Sequence, residues 1–237
     1  MPTWWPRSAR SSGWTLAEPP YPTWLQPLLD AVAQVLPEQM SRFLPPDDGG
    51  RPSAVLILFG EGPDGPDVLL IQRADNLNSH AGQPAFPGGG TDPDDGGPAG
   101  TALREAAEEV GVDPAGVRVL AVLPELHIPV SGYDVTPVIG WWHTPCAVSP
   151  VDVGEVAAVE RVPIAELVDP ANRFRVRHSS GFVGPAFGVR GMLVWGFTAG
   201  LLDTVLELSG LARPWDRSVV RELPDRALGV ARRDRRR

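Results

Sequence analysis

The chain has 237 residues, 43% of them hydrophobic and 21% charged, with a formal net charge of −8. That balance is that of an ordinary soluble globular protein, long enough for one generous domain or a domain with extensions. The negative charge argues against nucleic-acid binding by the whole surface, and all 21 basic residues are arginine, which excludes a lysine Schiff base or a P-loop lysine. No apolar run approaches the roughly 20 residues of a membrane span. Residues 1–13 carry Trp4, Trp5 and Pro6 without an apolar core, so they do not read as a secretory signal. The lone Cys146 cannot form an internal disulfide and reads as inert, and a cytoplasmic protein is expected.

Residues 1–20 read as an irregular arm. Over 23–43, Leu25, Leu28, Leu29, Val32 and Val35 recur at helical spacing and predict an amphipathic helix, broken by Pro37 and ended before Pro45. Residues 53–59 and 67–73 predict two strands of a hairpin around a turn at 60–66, and residues 74–100 a long functional loop. An acidic helix follows, with Thr101 as its N-cap, Leu103, Ala107 and Val110 as its apolar stripe and Gly111 as its stop. Strands are expected at 117–123, 135–142, 156–162, 173–176 and 182–189, a short proline-led helix at 163–168 and a buried helix at 192–208. The tail from Ala231 reads as a solvated basic end. Trp141, Trp142 and Trp195 are expected in the core or in hairpin packing. Trp4, Trp5, Trp14 and Trp24 are expected to cover apolar surface, with a homodimer contact left open. His127, His143 and His178 lack metal-ligand spacing. The expected units are an arm and helix (1–50), a main domain (51–210) and an extension (211–237).

Glu105, Glu108 and Glu109 are spaced i, i+3 and i+4. At about 100° per residue they share one helix face. Carboxylates ~4 Å apart repel by about 4 kcal/mol at an effective dielectric near 20, so the cluster calls for a cation. A hard divalent ion with oxygen ligands answers that need, and Mg²⁺ combines a few carboxylates with substrate phosphates.

The run from Arg104 to Val112, preceded by Gly88-Gly89-Gly90 and a short acidic loop, resembles the Nudix box of the Nudix hydrolases. The box's leading Glu falls on Gly96 by strict spacing, or on Asp95 if one extra residue is allowed. Asp95 then replaces it, or the acid is absent. Leu69-Leu70-Ile71-Gln72-Arg73-Ala74, then Asn78, Gly82 and Phe86-Pro87-Gly88-Gly89, is similar to the signature of Nudix coenzyme A pyrophosphatases. Ile71 stands there for Thr and Asn78 for a second Arg. Residues 131–140 and 194–199 resemble later segments of that subfamily, and the likeness runs from about 51 to 208.

The resemblance implies a Nudix α/β/α sandwich with a mixed central sheet and an N-terminal helical extension. It implies that Glu105, Glu108 and Glu109 hold one to three Mg²⁺ or Mn²⁺ ions, which neutralise the diphosphate and activate water. Glu155 would complete the metal shell or act as base, Glu160 being the weaker candidate. Arg104, four residues before Glu108, can orient it by an i,i+4 pair, whereas the resemblance implies a salt bridge toward the acidic loop instead. Arg73, His80, Gln83, Phe86, Gly88 and Gly89 would form the substrate loop. The expected reaction is hydrolysis of coenzyme A or an acyl-CoA to 3′,5′-ADP and 4′-phosphopantetheine. The competing expectations are a Nudix hydrolase of ADP-ribose, NADH or a related compound, motivated by Asn78, and a weakly active sensor or interaction module on the same scaffold.

Overall fold

A computed structural model describes residues 21–40, 45–46, 49–75, 77, 80–224 and 227. The expectations for the arm 1–20, for Phe43 at the end of the first helix, for Asn78 and for the tail from Ala231 lie outside these residues. The predicted helix over 23–43 is a 3₁₀ turn, Thr23–Leu25, and two short helices, α1 (Gln26–Val32) and α2 (Pro37–Met40). The break falls ahead of Pro37, where Gln34 and Val35 already bond three residues back, and Pro37 opens α2.

β1 (Arg51–Gly62) and β2 (Gly65–Arg73) make the expected hairpin, Gly62 opposite Gly65. The stretch 74–100 is more ordered than a loop. It holds β3 (Pro84–Ala85) on β2, β4 (Gly88–Gly90) on β1, and a 3₁₀ turn at Pro93–Asp95. α3 spans Pro98–Val110 and so begins before Thr101. Gly97, at φ 122°, caps it and Pro98 occupies the first turn, where no amide partner is needed. Thr101 is buried inside the helix and is not its cap. Gly111, at φ 75°, ends the helix as expected.

The chain continues through β5 (Val117–Val122), β6 (Leu126–Ile128), β7 (Tyr133–Trp142), β8 (Val156–Pro163), α4 (Ile164–Leu167), β9 (Arg173–Arg177), β10 (Val183–Val189), β11 (Met192–Val194), α5 (Gly196–Leu208) and β12 (Val220–Glu222). The helix expected over 192–208 is therefore shorter. Its first residues form β11, which returns along β10 through a turn at Arg190 and Gly191, and Gly196 at φ +65° turns the chain into α5.

The main sheet has the order β3-β2-β1-β7-β5, with β4 on β1, β6 on β7 and β8 on β2. β1 and β7 are parallel and the other pairs antiparallel, so the sheet is mixed. A second sheet has the order β11-β10-β9-β12. Alternation along β1 sends Ala54, Leu56 and Leu58 to one face and Ile57 and Phe59 to the other. The first set packs with Ala102, Ala106 and Val110 of α3; of the predicted stripe Val110 is buried there and Leu103 packs partly buried against the same cluster, while Ala102 and Ala106 take the place of Ala107. Small alanines let α3 approach the sheet closely. The second set packs with Leu28, Leu29 and Val32 of α1 and Leu202, Val205 and Leu206 of α5. Helices thus cover both faces, the α/β/α arrangement expected. Trp24 stands edge-on to Phe59 and Trp141, with ring centroids 5.7 and 6.3 Å away. No helix among the described residues is long and apolar enough to cross a membrane.

Leu29 is fully buried between α1 and the sheet. Leu29→Ala is expected to lower stability by about 2–5 kcal/mol, read as a lower midpoint in chemical denaturation. A change below about 0.5 kcal/mol would show that α1 is not part of the core.

Candidate active site

The acidic face of α3 lies against β4, and glycine makes that approach possible. A Cβ on Gly88, whose φ is 157°, would stand 2.3 Å from the Ala54 carbonyl oxygen, so a side chain would push β4 off β1. A Cβ on Gly89 would stand 2.5 Å from the Glu105 carboxyl group. The two glycines therefore bring bare backbone against two of the three carboxylates.

Glu109 is the deepest of the three, its side chain only 4% exposed. Its Oε2 accepts the Gly88 amide at 3.0 Å, and its Oε1 lies 4.0 Å from Arg73 Nη1. Burial pushes its carboxyl up to about 7, with the Gly88 amide and Arg73 opposing and Glu105 and Glu155 adding to the rise. Glu105 is mostly buried, and desolvation raises its pKa against the pull of Arg104. Glu108 is exposed and held by Arg104 Nη1 at 2.9 Å. Glu155 is exposed just before β8, where its carbonyl accepts the Ala74 amide at 2.8 Å. Its charge is felt by both Glu105 and Glu109. Glu160 sits mid-strand opposite Leu70.

Arg104 holds this face together. Nε and Nη2 bind the two oxygens of Asp95 at 2.7 and 3.1 Å, Nη2 also donates to the Gly90 carbonyl at 2.9 Å, and Nη1 donates to Glu105 at 3.0 Å and Glu108 at 2.9 Å. A guanidinium has five N–H donors, and these contacts take all of them. Arg104 thus has no donor left for a further partner in this arrangement. Asp95, buried beside it, also accepts the Thr101 hydroxyl and the Asp92 amide, each at 2.8 Å. Arg104 first, then these partners, hold its carboxyl well below the usual carboxylate range. Thr101, expected as a helix cap, instead fixes Asp95.

The substrate-loop residues divide into two sets. Arg73 faces Glu109, and its buried Nε has no hydrogen-bond partner among the described residues. His80, at φ 55°, has Nδ1 3.0 Å from Gln83 Oε1, and Gln83 Nε2 donates to the Ala227 carbonyl at 3.3 Å. Phe86 is 3% exposed and packs in the main core, so its ring anchors the loop from below rather than lining its open side. The contact with Ala227 has no signal in the sequence, because it uses a backbone carbonyl 144 residues from Gln83.

A divalent ion is the group this donor set suits. Glu105, Glu108, Glu109 and Glu155 offer hard oxygens, and among the described residues the buried Glu109 carboxylate has one amide donor and no cation nearer than 4.0 Å. Among the described residues no three acidic or imidazole side chains converge into a closed cage. Mg²⁺ does not need one, since it keeps several waters and takes one or two carboxylates plus substrate phosphates.

A family model for the NUDIX domain matches residues 50–180. The uncharacterized Nudix hydrolase NudL of Escherichia coli (strain K12) is 39% identical over 163 residues, covering 64% of this chain and 79% of that protein. Its counterpart in Shigella boydii serotype 4 (strain Sb227) is 40% identical over the same length. In fold the chain is similar to RenU, a Nudix hydrolase from M. smegmatis, with a TM-score of 0.50 and 20% identity over 74% of this chain and 98% of that one. The chain belongs to the Nudix hydrolase family. It is an enzyme of that family, acting on nucleoside diphosphate derivatives, and Nudix hydrolases generally use divalent ions such as Mg²⁺ or Mn²⁺.

Gly89→Ala is expected to displace the Glu105 carboxyl group while leaving the fold intact, because the clash falls on the end of a flexible side chain. Mn²⁺ binding measured by calorimetry should weaken about 10–100-fold, with little change in Tm. The raised carboxyl of Glu109 predicts a pH dependence for the EDTA-treated protein. The folded state binds this proton more tightly than the unfolded chain does, so the stabilisation is complete below pH 4.5 and is lost as pH rises to about 7. Thermal unfolding across that range should show the decline in wild type and a flatter curve in Glu109→Gln.

Proposed function

We propose that this enzyme hydrolyses the diphosphate of coenzyme A or its thioesters to 3′,5′-ADP and 4′-phosphopantetheine. In this reading the hydrolase unit is residues 51–210, with extensions at 1–50 and 211–237. The observation that carries it is the upstream signature from Leu69 to Gly89, which runs along β2 and β4 beside the acidic face, Arg73 standing 4.0 Å from Glu109.

Glu105, Glu108, Glu109 and Glu155 would hold the divalent ions, Mg²⁺ or Mn²⁺. When bound, such ions supply charge neutralisation of the diphosphate and a lowered pKa for a coordinated water. Arg73, partly exposed and only loosely paired with Glu109, would offer its guanidinium fork to a phosphate. Arg104, tied to Asp95, keeps Glu105 and Glu108 on the reacting side of the helix. Glu155, exposed and outside the Arg104 network, accepts the proton of the attacking water as one phosphorus is attacked and the other phosphate leaves. His80 and Gln83 shape the loop that receives the pantetheine or 3′-phosphate end.

Incubating purified protein with coenzyme A and Mn²⁺ and separating the products should give 3′,5′-ADP. Its absence at every divalent concentration would overturn the reading. Asn78, in place of the signature's second Arg, motivates a substrate panel. If ADP-ribose or NADH is turned over faster than coenzyme A, the same chemistry serves the second substrate class. Glu155→Gln is expected to lower kcat about 10²–10⁴-fold with Tm unchanged.

A further inference from the structure

The space between the second sheet and α5 changes character along its length. At the inner end, Phe187, Val189 and Val194 are buried in the main core. Moving outward, Arg173 lies opposite Phe187, Arg175 opposite Pro185 and Arg177 opposite Val183. Alternation puts these three arginines on one face of β9, while Phe174 and Val176 fill a separate small cluster on the other. The outer end opens into a cavity of about 330 Å³ lined by Arg175, residues 183–185, Asp203, Trp215 and Arg217. None of these residues belongs to the site around Glu109.

The walls carry a surplus of positive charge. Arg173, with a wholly buried side chain, pairs with Asp203 and lies between Phe187 and Trp215, 4.9 and 4.7 Å from their ring centroids. Arg217 lies 5.2 Å from the Trp215 ring centroid and pairs with Glu207 at 2.9 Å. Arg177 pairs with Glu222 at 3.3 Å. Arg175 has no acidic partner among the described residues. Among the residues that line the cavity, two guanidiniums (Arg175, Arg217) face one carboxylate (Asp203), which is itself paired with Arg173, in a chain whose net charge is −8. Nε and Nη1 of Arg173 and Nε1 of Trp215 are buried without hydrogen-bond partners among the described residues. Burial lowers the pKa of Arg173, with Asp203 opposing and Arg217 adding to the fall. Like charges held together in a partly desolvated wall repel, and an anion between them offsets that repulsion.

We propose that this cavity is a second ligand site, taking a small organic phosphate. Arg175 and Arg217 form charge-assisted bonds to the phosphate, while Val183, Pro185 and Trp215 line the space for its organic part and Asp203 accepts from a hydroxyl. A dianionic phosphate engages both guanidiniums, where a single carboxylate engages one fork. The volume lies at the lower end of small-molecule sites, and a bare oxyanion would leave much of it unfilled.

The test uses full-length ¹⁵N-labelled protein in EDTA at constant ionic strength, with the Trp215 indole signal assigned by its loss in Trp215→Phe. Ribose 5-phosphate should move that signal saturably, and ribose should not. Arg175→Gln combined with Arg217→Gln should weaken binding roughly tenfold or more. If the pair does not fold, Arg217→Gln alone, at an exposed position, serves for the comparison. No saturable shift, or an unchanged titration in the variant, overturns the site. Inorganic phosphate binding as tightly as ribose 5-phosphate overturns the assignment to an organic phosphate.

Discussion

The absence of a Cβ at residues 88 and 89 is the constraint on which the site depends. β4 is only Gly88–Gly90, yet it is wedged between β1 and the acidic side of α3. With backbone alone at these positions, the Gly88 amide can reach Glu109 and the Glu105 carboxyl group can lie against Gly89. Any larger residue meets either the carbonyl of Ala54 or the carboxylate itself. Glycine here is required by close approach more than by turn geometry.

Placing three acids on one helix face and largely burying two of them, Glu109 the deeper, is unfavourable in isolation. The structure offsets this unevenly. Glu105 and Glu108 share Arg104, whose orientation is in turn set by Asp95 and the Gly90 carbonyl. Glu109 has only the Gly88 amide and a distant Arg73, and its raised pKa records the deficit. That imbalance is what a cation-binding face needs: one deep carboxylate left under-compensated, and others held ready at its rim. An evenly neutralised cluster would have no affinity left for an ion.

The surrounding architecture serves to hold β1 in place. Both faces of β1 are buried, one by α3 and the other by α1 and α5, so the strand that supports β4 cannot shift without disturbing the core. The Ala227 carbonyl, five residues beyond β12, meets Gln83 and so ties that residue to the loop before the acidic helix.

Much of this was legible in the residues. Arg104 to Val112 specifies an acidic helix because the i, i+3, i+4 spacing and the terminal Gly111 are local signals, and the β1–β2 hairpin follows from two apolar runs around a glycine-rich turn. Other features were decided only by tertiary packing. Which stripe of α3 faces the sheet is set by how the helix rotates onto it: Ala102, Ala106 and Val110 are buried at its centre and Leu103 packs at its margin. Residues 192–194 are helical by composition and become a strand because β10 presents an edge to pair with. Asp95 takes Arg104, and Thr101 takes Asp95, through contacts between a loop and a helix that spacing cannot register. Local chemistry thus determined the kind of site, while non-local pairing determined which atoms are left free to act in it.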